Sequence, residues 1–189
     1  MAFYTEEELK EIGFKSLGKN VLISDKVSIY FPEKIVIGNN VRIDDFCFLS
    51  GEITLGNYIH IGPYTALFGK YGIEMEDFTG LSTRCILFTT SDDYSGETMT
   101  NPMIPSEYKK IDFGKIVIKK HSIIGAGSII LPNVIINEGT AVGINSFIKK
   151  DTEKWSIYAG NPAKKIKERK QDLLELEKTF LERVEINGI

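Results

Sequence analysis

Four carboxylates crowd one stretch of the sequence. Asp92, Asp93, Glu97 and Glu107 fall between residues 91 and 107, with no lysine or arginine among them. A loop of that character suits a cationic ligand such as a protonated amine, although carboxylates in loops also serve simply to cap turns. A basic run answers it near the C-terminus: residues 164–170 (KKIKERK) carry five basic side chains against one acidic, just after Gly160-Asn161-Pro162. Lysines clustered this way can meet a phosphate, or form an ordinary solvated face. Only two histidines occur, His60 and His121, in unmatched surroundings. A zinc site of the three-imidazole kind is therefore not expected, and no metal is assigned. Cys47 and Cys85 read as small buried apolar residues.

The elements that must position these groups are set by a period of six. One run reads Ile37-GNNVR, Ile43-DDFCF, Leu49-SGEIT, Leu55-GNYIH and Ile61-GPYTA. A second reads Ile118-KKHSI, Ile124-GAGSI, Ile130-LPNVI, Ile136-NEGTA, Val142-GINSF and Ile148-KKDTE. Each hexad opens on an aliphatic residue and holds a small or β-branched one in fifth place, among them Cys47, Thr65, Ser128 and Thr140. Leu17, Ile23, Met75 and Leu81 extend the phase, with two-residue insertions near Pro32 and Tyr71. Three hexads make one triangular coil, with the aliphatic and the small residue pointing inward, so the chain is expected to be an all-β solenoid, a parallel β-helix. Cys47, Thr65, Ser128 and Thr140 should then be buried. Periodicity alone does not fix the hand, since parallel crossovers are ordinarily right-handed.

Three segments break the repeat. Residues 1–14 contain Thr5-EEE, the start of a short capped helix. Residues 90–111 form a long inserted loop punctuated by Pro102 and Pro105, and a loop of that length in a compact stack is seldom idle. After Pro162, Ile166, Leu173, Leu176, Phe180 and Val184 fall at helical spacing and predict a C-terminal α-helix of about five turns. It is read as a lid over the open end of the solenoid or a packing surface between subunits. The division is residues 1–160 for the solenoid and 161–189 for a helical tail.

Composition narrows the classes further. The 189 residues are 42% hydrophobic and carry a net charge of −3, enough for a core and without a basic field for nucleic acid or anionic lipid. No apolar run approaches a membrane span, and Met1 to Lys10 lacks the layout of a secretory signal, so cytoplasmic residence is the expectation.

The hexads, IGAGSIILPNV at 124–134 and IYAGNPAKKIK at 157–167 resemble the hexapeptide-repeat sugar acetyltransferases over nearly the whole chain. MAFYTEEELKEIGFKSLG, IGNNVRIDDFCFLSG and SDDYSGETMTNP are closer still to the dTDP-amino-dideoxyhexose N-acetyltransferases. That resemblance implies a left-handed β-helix, a homotrimer, and acetyl-CoA lying in the groove between neighbouring helices. It implies transfer of acetyl to the 3- or 4-amino group of a dTDP-linked 6-deoxy sugar for surface glycans of the O-antigen type. Pantetheine is an extended amide chain that needs a smooth edge, for which Gly125, Ala126 and Gly143 are the candidates. Lys149, Asn161, Pro162, Lys164 and Lys165 are the candidates for the phosphate end, and His121 is read as a surface or CoA-adjacent turn residue.

Related O-acetyltransferases carry a histidine at the start of the long loop, to activate a hydroxyl. Here Asp92 falls on that place, followed by Asp93. A carboxylate is a feeble base for an alkanol, whereas a neutral amine is already nucleophilic, so the departure favours an amine acceptor. Asp92 and Asp93 are therefore catalytic candidates, with His60 as a third that trimer packing could bring to a neighbour's site. Arg84, Tyr94, Glu97 and Asn101 are candidates for acceptor binding, and exposed Tyr30, Phe31 or Tyr94 could stack on a base. A hydroxyl-directed sugar acetyltransferase is the nearest alternative. A non-catalytic hexapeptide scaffold would need neither the acidic loop nor the basic turn.

Overall fold

The computed structural model describes residues 2–187. Its strands stack as parallel ladders in a left-handed β-helix of about seven turns, with a C-terminal helix. Each turn contributes a strand to each of three walls. The first wall runs from Ser16–Leu17 and Ile35–Ile37 to Ile116–Ile118 and Ile135–Ile136. The second runs from Leu22–Ile23 through Val41–Ile43, Ile59–Ile61, Gly80–Leu81, Ile123–Ile124 and Ala141–Val142 to Ser156–Ala159. The third runs from Ser28–Tyr30 through Ile86–Phe88 and Ile129–Ile130 to Phe147–Ile148. Two long strands, Phe48–Leu55 and Ala66–Met75, turn the corner from the third wall into the first.

The interior follows the hexad phase. Ile37, Ile43, Leu49, Leu55 and Ile61 are buried, as are Cys47, Thr65, Ser128 and Thr140, so the inward assignment holds. The buried hydroxyls are satisfied by backbone carbonyls one turn away: Thr65 donates to Ser82 O at 3.0 Å and Ser128 to Gly143 O at 3.1 Å. Burial pushes both thiols up to about 11, so Cys47 and Cys85 are inert packing residues.

The corners hold a feature that the repeat did not announce. The fourth place of nearly every hexad takes the left-handed conformation, and often not on glycine: Phe46, Tyr58, Tyr64, Phe78, Arg84 and His121 all have φ between 56° and 62°. That conformation costs about 1–2 kcal/mol per residue. Stacking offsets part of it, because equivalent corners lie one above another. Tyr58 stacks on Phe78 at 4.8 Å, Phe78 on His121 at 5.5 Å, and His121 approaches Trp155 at 6.0 Å. Such ring pairs contribute about 0.5–1.5 kcal/mol each. His121 is therefore not a surface residue: it is only 6% exposed and its ring closes this corner ladder.

The ends differ from expectation in part. Helix α1, Glu6–Glu11, begins with the capping box at Thr5 and Glu8. The tail is not helical from its start, since Lys164–Glu168 forms a strand antiparallel to Ser156–Ala159 and Ile166 lies in it. That strand extends the second wall at the open end, where a lid had been expected of the helix. Helix α2, Leu173–Asn187, instead folds back along the side of the stack. Phe180 meets Tyr58 and Phe78 edge-on, Glu177 pairs with Lys120 and His121, and Arg169 donates to the carbonyls of His121 and Gly139. The position of Val184 fits the helical spacing, and residues 188–189 lie outside the described residues.

Candidate active site

The corner between the second and third walls is built mostly of small residues. Asp44, Gly62, Ser82, Gly125 and Gly143 occupy the second place of successive hexads along it, with Ala159 at its end. The coils approach so closely that a Cβ on Gly125 would lie 2.7 Å from the Gly143 carbonyl carbon, and one on Gly62 2.8 Å from that of Ser82. Glycine is needed here for packing between turns, and the result outside is a bare strip. Gly125 N–H is committed to Val142 O at 2.8 Å, so it is not available to a thioester oxygen. Ser82 is the exposed hydroxyl in this row. Sequence reasoning missed it, although a serine among glycines at equivalent places was the available signal.

The inserted loop stands on a two-stranded base, Thr90–Asp92 paired antiparallel with Ile111–Phe113. Between it and the third wall opens a cleft of about 910 Å³. Phe68, Phe88, Ile129 and Phe147 line its wall side, and Asp92 and Tyr94 its loop side. Lys70 and Lys109 also line it, so the cleft is not uniformly acidic. Neither lysine is near Asp92 in the sequence.

Asp92 and Asp93, adjacent in sequence, do different things. Asp92 Oδ2 accepts from Asn101 N–H at 3.2 Å, and its other oxygen takes no hydrogen bond among the described residues. Asp93 is spent on the loop itself. It accepts from Ser95 N–H at 2.8 Å and from Thr98 N–H and hydroxyl at 3.1 and 3.0 Å. The Ser95 backbone bond above all, with help from the Ser95 and Thr98 hydroxyls, lowers its carboxyl to about 2. A carboxylate so occupied organises the turn that follows Asp92. Tyr94 is 92% exposed at the cleft mouth, and Asn101 holds Asp92. Glu97 is exposed on the loop and does not line the cleft, and Arg84 caps its corner with its guanidinium 5.8 Å over the Tyr64 ring.

His60 lies elsewhere. It projects from the second wall into a separate groove of about 760 Å³ under helix α2, shared with Arg42, Ile123 and Leu176. Its Nε2 lies 2.7 Å from Asp44 Oδ2, and Arg42 Nε donates to the other oxygen of that carboxylate at 2.7 Å. Burial pushes Asp44 up, but the bonds from His60 and Arg42 outweigh it and hold the carboxyl below its usual range.

The basic end is also divided. Lys165 pairs with Glu153 at 2.7 Å and Glu168 at 2.6 Å, which raises its pKa. Lys149 and Lys164 are exposed and form no ion pair among the described residues. Asn161 and Pro162, joined by a cis peptide, form the turn between Ser156–Ala159 and the antiparallel strand. Ala126 sits at the corner beside Gly125, partly exposed.

A left-handed hexapeptide solenoid with a glycine-lined edge, a long inserted loop and a cleft beside it defines a class, the β-helical acyltransferases. No protein-family model matches the chain. It is 49% identical over 183 residues, 95% of each chain, to an Escherichia coli dTDP-4-amino-4,6-dideoxy-D-glucose acyltransferase. Among solved structures it is 56% identical to AntD, an N-acyltransferase from Bacillus cereus crystallised with dTDP and 3-hydroxybutyryl-CoA; the match covers 97% of this chain and 98% of that one, with a TM-score of 0.96. AntD has also been solved with variants at one aspartate and at a serine ten residues before it. A putative lipopolysaccharide O-acetyl transferase of E. coli K12, WbbJ, is 26% identical over 74% of this chain and 71% of its own. The chain belongs to the hexapeptide-repeat acyltransferases, in the group of dTDP-amino-dideoxyhexose N-acyltransferases, and it is an enzyme.

Proposed function

We propose that the protein transfers an acyl group from acyl-CoA to the amine of a dTDP-linked amino-dideoxyhexose, for surface-glycan assembly in the cytoplasm. The relatives named for a 4-amino-4,6-dideoxyglucose favour the 4-amino position over the 3-amino one. Acetyl is the first donor to consider, and a short hydroxyacyl chain is the second, since AntD carries one. The observation that carries the reading is Asp92: it lines the cleft, with one carboxylate oxygen anchored by Asn101 N–H and no hydrogen bond on the other among the described residues.

The parts then take roles. Pantetheine runs along the strip of Gly125, Ala126 and Gly143, and the thioester end meets the Ser82 hydroxyl. Asp92 orients the acceptor amine and favours its approach as the ammonium. Among all the aspartates of this chain, Asp92 alone has a serine ten residues before it, Ser82, which matches the spacing of the AntD variants. Lys70 and Lys109 suit a diphosphate, and Phe68, Phe88 and Tyr94 offer ring faces to a base. Lys149 and Lys164 suit the CoA phosphates, beside the Asn161-Pro162 turn. The bound ammonium first loses a proton to solvent; the neutral amine then attacks the thioester carbon, the C–N bond forms as C–S breaks, and the leaving thiolate takes the second amine proton.

A single strip offers pantetheine one side, so the working form is a cyclic homotrimer with three equivalent sites. The test is CoA release with dTDP-4-amino and dTDP-3-amino sugars beside simple galactosides, using acetyl-CoA and 3-hydroxybutyryl-CoA. Turnover with the 4-amino sugar is expected. Acylation of a galactoside hydroxyl, with none of any amino sugar, would overturn the reading.

A further inference from the structure

An amino-sugar nucleotide carries its charges at two places, an ammonium on the ring and a diphosphate on the anomeric carbon. The cleft holds both complementary signs, since Asp92 and Asp112 line it beside Lys70 and Lys109. Two of these four groups are held by one residue. Asn101 N–H donates to Asp92 Oδ2 at 3.2 Å, and Lys109 Nζ donates to the Asn101 carbonyl at 2.8 Å. Neither Asp92 nor Lys109 forms an ion pair among the described residues.

We propose that Asn101 is a positioning residue that sets the distance between the ammonium and diphosphate ends of the acceptor, and through that distance the choice of amine position. The inference rests on the proposed amine acylation. The nitrogen and carbonyl oxygen of one residue are about 3–4 Å apart by covalent geometry. The Asp92 carboxylate and the Lys109 ammonium are therefore tied within about 10 Å of each other. In a 4-amino hexose the amine lies across the ring from the anomeric carbon. In a 3-amino hexose it stands one carbon nearer and points another way. A clamp of fixed length tells them apart, because a shift of about 1 Å in a reacting group can cost about 10²-fold. A simple galactoside has neither charge and engages neither end.

The turn around Asn101 fixes the clamp. Its φ of 74° lies in the left-handed region, which asparagine tolerates better than most residues. Its Oδ1 accepts from Met103 N–H at 2.9 Å, and its carbonyl also takes Ile104 N–H at 3.5 Å. Met99 N–H donates to Tyr108 O at 3.0 Å, which brings the segment before Asn101 alongside the one that ends in Lys109. The lining of the cleft includes Asp92 and Lys109 but not Asn101, so Asn101 acts through those two.

The experiment is a double-variant cycle read on the acceptor. Asn101→Val puts a β-branched residue where the backbone is left-handed and should turn the peptide, releasing both ends. Asn101→Gly keeps the conformation and serves as the rescue. In Asn101→Val the KM for the dTDP-4-amino sugar should rise about 10-fold or more. The preference for the 4-amino over the 3-amino sugar should shrink toward unity, with the KM for acyl-CoA unchanged. Asn101→Gly should stay within about threefold of wild type in each respect. dTDP itself has no amine, so its affinity reports the Lys109 end alone. Asn101→Val should weaken dTDP binding in the wild-type background and have no further effect beside Lys109→Met. Lys109→Met leaves the loop backbone alone and should narrow the 4-amino preference by itself, a second test should Asn101→Val not fold. Equal weakening of dTDP in both backgrounds would overturn the inference and leave the proposed function standing. So would a 4-amino preference that survives both variants, or a wild type that acylates both amines equally. A wild type that acylates no amino sugar would remove the proposed function itself.

Discussion

At the scale of single residues, the difference between Asp92 and Asp93 decides what each substitution should do. Asp92→Asn keeps the bond from Asn101 but removes the charge that attracts the ammonium. Acceptor KM should rise, while kcat falls by less than the ~10²–10⁴-fold typical of losing a true general base; steady-state kinetics on the 4-amino sugar checks both. Asp93→Asn should leave the chemistry alone and loosen the loop, seen as faster proteolysis between residues 93 and 110. Because its folded pKa is depressed, the support Asp93 gives is present above the unfolded value and is lost as pH falls toward about 2. The two aspartates are indistinguishable in the sequence, since what separates them is which way the turn through Ser95 and Thr98 faces. For the same reason Lys70 and Lys109 could not be foreseen: they meet only when a strand of one turn and the far side of the loop are stacked. Lys164→Ala should raise the KM for acyl-CoA several-fold, since an exposed charge contact is worth about 0.5–1 kcal/mol. Lys165→Ala should act mainly on the tail it pairs with.

Elements carry a different lesson. The hexads specified the interior fully because every inward place repeats at the same spacing, and Cys47, Thr65, Ser128 and Thr140 show it. The corners were less legible, since the fourth-place conformation is imposed by the coil on whatever residue stands there, tyrosine and histidine included. The tail misled through Ile166, whose helical spacing from Leu173 is coincidental once Lys164–Glu168 pairs with Ser156–Ala159. Helix α2 carries a polar node at Glu177. Burial raises the Glu177 carboxyl, but bonds from Lys120 and His121 overcome this and lower it below its ordinary value. The node therefore supports docking above the unfolded carboxylate pKa, and that support fades as pH falls through the depressed folded one. Trp155, the one tryptophan, lies 6.0 Å from His121 and reports on it. Glu177→Gln should shift its fluorescence at neutral pH, and acidifying the wild type through the depressed Glu177 pKa should reproduce that shift.

For the whole molecule, the consequence to draw concerns how it becomes ordered. Most rungs join residues some 15 to 21 apart, as Thr65 to Ser82 and Ser128 to Gly143 do. One seam breaks that rule. Across the inserted loop, Cys85 reaches Gly125 and Lys119 reaches Glu76, separations of 40 and 43. Doubling a closure length adds only about 0.6 kcal/mol, so the stack tolerates the insertion at small cost. The two halves it joins are each stacks of near-neighbour rungs, able to grow on their own. A chain nicked within residues 94–108 should therefore stay assembled under native conditions, and the fragments before and after the nick should recombine from denaturant when mixed. The loop can in that case be lengthened, shortened or exchanged to change the acceptor while the scaffold zips up as before.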